Sequence, residues 1–197
     1  MKYDIMAKGL GIMLNGLVKQ DIPDAQTRKK IRSEYRQILE RAGDIGSNNR
    51  LFSSYGLAAY FIAMNRCTDL SPEQNIAILE KRMRNSRLVK AFLGDSKGYF
   101  SDKHMQSRRE WSRQTHEHTY PNDWVVDVVE KTDDFEFGFN YLECGVCKLC
   151  RDENCFELAK YLCSLDYMLV EIVGIRLTRT KTLAEGCDCC DFRFHKA

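Results

Sequence analysis

WVVDVVEKTDDFEFGFNY, residues 124–141, is where the period of the chain changes. Trp124, Val126 and Val128 alternate with Val125, Asp127 and Val129. After a turn at Thr132 to Asp134, a second run places Phe135, Phe137, Phe139 and Tyr141 on one face. Alternation of this kind is the mark of a half-buried strand, and two such runs around a short polar turn read as a hairpin. The expected hairpin has an aromatic inner surface. Tyr120-Pro121-Asn122 separates it from everything upstream, which reads as helix. Helices first and strands later imply an α+β fold, with a helical N-terminal half packed on a C-terminal antiparallel sheet.

Upstream, Ile31, Tyr35, Ile38, Leu39 and Ala42 recur at the spacing of one helical face between Asp24 and Ala42. LFSSYGLAAYFIAM, residues 51–64, is apolar nearly all round, as expected of a central helix buried on most sides. Ser71, Pro72 and Gln74 spell a capping box with proline in the first turn, opening a helix expected to run to about Phe92. A turn over Gly94 to Gly98 and a polar helix from Asp102 to Glu117 complete this half. Downstream of the hairpin, Cys155, Leu158, Ala159, Leu162 and Cys163 form one stripe of a helix from Asn154 to Asp166. Strands over Val173 to Leu183 and Cys189 to His195 then flank a tight connection at Glu185-Gly186. A length of 197 residues fits one domain, mainly helical over 1–120 and mainly strand with one or two helices over 121–197.

Hydrophobic residues at 44% and only three prolines exclude a disordered chain. A net charge of +2 gives no reason to expect a nucleic-acid or membrane partner. Basic residues cluster from Lys81 to Arg113, either as a phosphate-binding face or as the solvated side of two helices. The opening MKYDIMAKGLGIMLNGLV has an early acid and no small-residue cleavage site, so it is not expected to be a signal peptide. No apolar run reaches the roughly 18 residues of a membrane helix, and a cytoplasmic location is expected. Nine cysteines in a reducing compartment are then not a disulfide framework. A homo-oligomer is compatible with all of this.

Cys144, Cys147, Cys150 and Cys155 form CxxCxxCxxxxC. If the backbone loops around a metal, they are candidate ligands for zinc or an iron–sulfur cluster. If the segment is helical, they are small buried thiols. In CDCC, residues 187–190, strand alternation sends Cys190, Phe192 and Phe194 to one side and Cys189, Asp191 and Arg193 to the other. Asp166 continues the apolar stripe of its helix. A carboxylate buried there is either a general base with a raised pKa or a helix-end residue turned to solvent or to an arginine. Arg179 and Arg193, on the last strands, could clamp a substrate carboxylate with paired hydrogen bonds. His116 and His118 do not share a helical face and read as surface residues.

FGFNYLEC, CSLDY and RTKTLAEGCDCCDFRF together resemble the C-terminal half of the L-2-amino-thiazoline-4-carboxylic acid hydrolase family. The matching positions are Cys144, Cys163, Asp166, Tyr167, Arg179, Thr180, Thr182, Gly186 and Cys190 to Phe194. A weaker likeness upstream rests on GDIGSNNRLFSSYGLAAY, residues 43–60. The arrangement is also similar, at the level of fold, to the vinyl-reductase-type ligand-binding domain. The first resemblance implies a hydrolase of a small, cyclic, amidine-like carboxylated substrate, acting at a carbon–nitrogen bond and giving N-carbamoyl-L-cysteine. It implies Cys190 or Cys163 as nucleophile or ligand and Asp166 as base. Arg179 or Arg193 would hold the substrate carboxylate, with Thr180 and Thr182 beside it. The second resemblance implies instead a non-catalytic module that binds a small molecule or a cysteine-held metal.

Overall fold

In the computed structural model, which describes residues 5–46 and 49–196, the alternation after Pro121 becomes a four-stranded antiparallel sheet. Strands β1 (Val125–Val129), β2 (Phe137–Glu143), β3 (Ile175–Thr178) and β4 (Cys190–Lys196) lie in the order β1-β2-β4-β3. Alternate side chains of β2 point to one face, and the register sets Phe194, Phe192 and Cys190 opposite Phe137, Phe139 and Tyr141. The Phe137 and Phe194 rings stack at 4.8 Å, and Tyr141 meets Phe192 edge-on at 4.9 Å. Each such pair adds about 0.5–1.5 kcal/mol beyond the area it buries. On the other face Gly138 lies opposite Arg193. A Cβ at Gly138 would stand 2.5 Å from the Phe192 carbonyl oxygen, so no larger residue fits there without moving β4.

The helical half covers the aromatic face. Helices α1 (Ile5–Leu17) and α2 (Ala25–Arg41) pack on α3 (Phe52–Cys67), in which every residue from Tyr55 to Met64 is buried. An all-round apolar helix has no solvent face to present, and α3 accordingly sits inside. Asp4, the early acid of the N-terminal segment, and Ser47-Asn48, part of the upstream resemblance, lie outside the described residues.

The capping box forms as its sequence requires on α4 (Pro72–Arg84). Ser71 Oγ accepts from the Gln74 amide, and the Ser71 amide donates 2.9 Å to Gln74 Oε1. Ser71→Ala is expected to cost about 1 kcal/mol, read as a lower urea midpoint at unchanged m-value. The helix does not reach Phe92. It ends at Arg84, and Ser86 starts α5 (Arg87–Leu93) by accepting from the Val89 amide, a second cap that the continuous periodicity concealed. The turn around Gly94 to Gly98 holds one helical turn, α6 (Ser96–Tyr99), and α7 (Asp102–Thr115) follows. Helix α7 is fastened to β1, where Ser112 Oγ donates 2.6 Å to the Val126 carbonyl and Thr115 Oγ1 accepts from the Val126 amide at 3.1 Å. Of the basic run, Arg82, Arg84, Arg109 and Arg113 each pair with a carboxylate.

After β2 the cysteine run is helical. Helix α8 (Gly145–Asp152) packs on α3 and is held at its C-terminal end by Glu153, whose carboxylate bonds Arg41 at 2.8 Å and Arg66 at 2.6 Å. Helix α9 (Ala159–Val173) starts later than expected and runs seven residues past Asp166, because Met168 and Val173 keep the apolar stripe facing the core beyond it. Gly174, at φ 79°, ends it and turns the chain into β3. The last strand before the final connection is therefore short, closing at Thr178. Buried residues of helices and sheet form one hydrophobic cluster. Among the described residues no helix is long and apolar enough to cross a membrane.

Candidate active site

Where α9 crosses the end of the sheet, a cavity of about 100 Å³ opens between α3, β2, α9 and β4. Its polar wall is Asp166 and Arg179 with the thiols of Cys144, Cys163 and Cys190, and its apolar wall includes Leu57, Trp124, Tyr141 and Phe192. Each polar residue arrives by a different local rule. Asp166 lies one turn beyond Leu162 and Cys163 on the inward side of α9. Cys190 starts β4 directly across from Tyr141, and Cys144 is the first residue after β2. Arg179 follows β3, and its side chain, 5% exposed, turns back toward α9.

Arg179 donates through one terminal nitrogen to Asp166 Oδ2 at 2.7 Å and through the other to the Cys163 carbonyl at 3.0 Å. Its guanidinium also stands 4.9 Å from the centre of the Phe192 ring. The third of the Asp166 side chain that stays accessible borders the cavity. Burial pushes the Asp166 carboxyl up to about 6, against the charge and hydrogen bond of Arg179, which hold it down. Burial also pushes the Cys190 thiol up to about 12 and raises Cys163 further still, with Asp166 adding to the rise at Cys163. Cys190 Sγ accepts the Leu183 amide at 3.2 Å. Both thiols are therefore held protonated, which makes them poor nucleophiles at neutral pH.

The remaining residues named from sequence do other work. Thr180 donates through its amide (2.8 Å) and hydroxyl (2.7 Å) to Asp191, and Thr182 donates 2.7 Å to Glu185. These bonds shape the connection between β3 and β4 that carries Arg179 and presents Cys190. Neither threonine lines the cavity. Arg193 points to the opposite face of the sheet, bonding Asn140 Oδ1 at 2.9 Å and the Phe192 carbonyl at 2.9 Å, so of the two arginines only Arg179 reaches the cavity.

The reading of Cys144, Cys147, Cys150 and Cys155 as one ligand set needs correction. Because the segment is helical through Asp152, the four thiols fall into two neighbouring pairs, Cys144 with Cys147 and Cys150 with Cys155. Among the described residues no three His, Cys, Asp or Glu side chains gather as a metal site would require. The four cysteines thus do not fit zinc or an iron–sulfur cluster as one group. Ser54, Leu57 and Trp124 are cavity residues that sequence reasoning did not single out. On α3 and at the head of β1 they look like any other buried position.

Helices α3 and α9 meeting one end of the sheet around an acid–arginine pair define a small α+β protein with a partly open cavity. The chain belongs to the L-2-amino-thiazoline-4-carboxylic acid hydrolase family, whose model matches residues 48–194. That span contains every polar residue of the cavity. Neither a curated protein nor a solved structure matches the chain, so the likeness to the vinyl-reductase-type domain finds no support.

Proposed function

We propose that the protein is a hydrolase that opens a small cyclic amidine-like substrate carrying a carboxylate, such as L-2-aminothiazoline-4-carboxylate, with Asp166 as general base. The observation that carries this reading is a carboxylate bonded at 2.7 Å to a buried arginine on the wall of a small cavity that opens to solvent, its pKa pushed up to about 6 by burial. A base poised close to working pH is what proton transfer favours.

The attacking group is water rather than Cys163 or Cys190, because burial holds both of those thiols protonated. Asp166 takes a proton from that water as its oxygen bonds the ring carbon that lies between sulfur and nitrogen, the carbon–nitrogen π electrons move to the ring nitrogen, and Asp166 passes the proton on to that nitrogen. In a product that is N-carbamoyl-L-cysteine, the ring nitrogen stays on this carbon. The bond that breaks is therefore carbon–sulfur, not carbon–nitrogen: as the tetrahedral centre collapses to the carbonyl, its hydroxyl proton passes through Asp166 to the departing thiolate. Arg179 uses two of its N–H groups on Asp166 and the Cys163 carbonyl and has others free to meet the substrate carboxylate.

Purified protein incubated with L-2-aminothiazoline-4-carboxylate is expected to yield N-carbamoyl-L-cysteine by mass spectrometry, with one new titratable thiol per turnover. Failure to form either product would overturn the reading. Cys190→Ala is expected to keep kcat within about tenfold of wild type, since no covalent step passes through that thiol. A loss as large as a missing nucleophile produces would restore cysteine catalysis.

A further inference from the structure

Cys144-Gly145-Val146-Cys147 takes no part in the hydrolysis proposed above, yet its geometry is specific. Cys144 is the N-cap of α8, with extended backbone at φ −123° and ψ 117°, and Cys147 is the third residue of that helix. In a capping box the N-cap and N3 side chains each reach the other residue's backbone amide, which puts both side chains on the same side of the helix start. Cysteines at both positions are therefore neighbours at the helix start, where each thiol bears on the ionisation of the other. Helix α8 is kept in place by packing on α3 and by the Glu153 ion pairs with Arg41 and Arg66.

The two thiols differ in access. Cys144 is half-buried and lines the cavity, whereas Cys147 is 2% exposed and sits behind it against the core. All nine cysteines are free in the structure. We infer that Cys144 and Cys147 form a redox-active dithiol that exchanges with low-molecular-weight disulfides, Cys144 attacking and Cys147 resolving.

The exchange balances within the named partners. Cys144 thiolate attacks one sulfur of the small disulfide, forming a mixed disulfide and releasing one small thiolate, which takes up a proton. Cys147 then loses its proton and attacks the Cys144 sulfur, expelling the second small thiolate. The protein gains a Cys144–Cys147 disulfide, and the two electrons have reduced the small disulfide to two thiols. Excess small thiol reverses both steps. The hydrogen bond from Cys147 and the amides at the start of α8 favour the Cys144 thiolate, against burial and the nearby charge of Asp166.

The test is oxidation of the reduced full-length protein with glutathione disulfide, followed by alkylation, trypsin and mass spectrometry. Cleavage after Lys131 and Lys148 leaves Cys144 and Cys147 on one peptide, 132–148, free of other cysteines. That peptide is expected to lose two hydrogens in the wild type. In Cys147→Ser it should instead retain one glutathione on Cys144, and in Cys144→Ser it should remain unmodified. Oxidation confined to Cys150, Cys155, Cys187 or Cys189, or a glutathione on Cys147 in Cys144→Ser as readily as on Cys144 in Cys147→Ser, would overturn the assignment. None of these masses depends on hydrolase turnover, so the result stands apart from the ring-opening assay.

Discussion

Asp166→Asn is expected to lower kcat/KM for the proposed ring opening by about 10²- to 10⁴-fold, the usual contribution of a positioned general base. The amide keeps the shape of the side chain and can still accept from Arg179, but it cannot take a proton from water. The effect should fall on kcat more than on KM, because substrate still finds the Arg179 guanidinium and the aromatic wall. The wild-type profile of kcat/KM against pH carries the second half of the expectation. With the Asp166 carboxyl near 6, activity falls as pH drops through that value and the base becomes protonated. An acid limb near 4 would mean that the working carboxylate is not buried. A variant as active as wild type would mean that Asp166 is not the base.

What the sequence made legible is what depends on short-range periodicity. The alternation of Phe137, Phe139 and Tyr141 gave the inner face of β2, and the parity of Cys190, Phe192 and Phe194 gave that of β4. That same parity already sent Arg193 outward, which leaves Arg179 as the arginine of the cavity. Arg179 itself could not be placed this way, since it lies past the end of β3 and its direction comes from the connection that Asp191 and Thr180 shape. Asp166 was visible as an acid on an apolar stripe; that Arg179 would meet it at 2.7 Å was not, because nothing local relates α9 to the residue after β3. The cysteine run was ambiguous for a different reason. Helix and metal loop both suit CxxCxxC, and the packing of α8 on α3, a long-range contact, decides between them. The break at Asn85-Ser86 was missed because the apolar spacing continues across it while a single hydroxyl cap restarts the helix.

Arg179→Gln is expected to lower kcat/KM at pH 7 on the order of 10²-fold while harming stability less than Asp166→Asn does. The loss of activity has two sources. The guanidinium fixes Asp166 in position, and its charge and hydrogen bond hold the carboxyl down to about 6 against burial. Without it the acid limb moves above 6, so less of the base is ionised at neutral pH. The stability order follows from which group is left alone. A buried carboxylate without its partner takes up a proton and becomes neutral, whereas an arginine cannot give up its charge. Asp166→Asn leaves the Arg179 side chain, 5% exposed, as that stranded cation. Removing one member of a fully buried pair costs about 3–5 kcal/mol, and less is expected here because a third of Asp166 is accessible and asparagine still accepts. The pH dependence separates the two variants further. A folded pKa of about 6, above the unfolded carboxylate value, gives wild type a contribution fully present below the unfolded value and lost as pH rises through about 6. The difference in unfolding free energy between wild type and Asp166→Asn should therefore change across that window and level off above it. If Arg179→Gln proved the less stable of the two at pH 7, Arg179 would be holding the fold rather than tuning the acid.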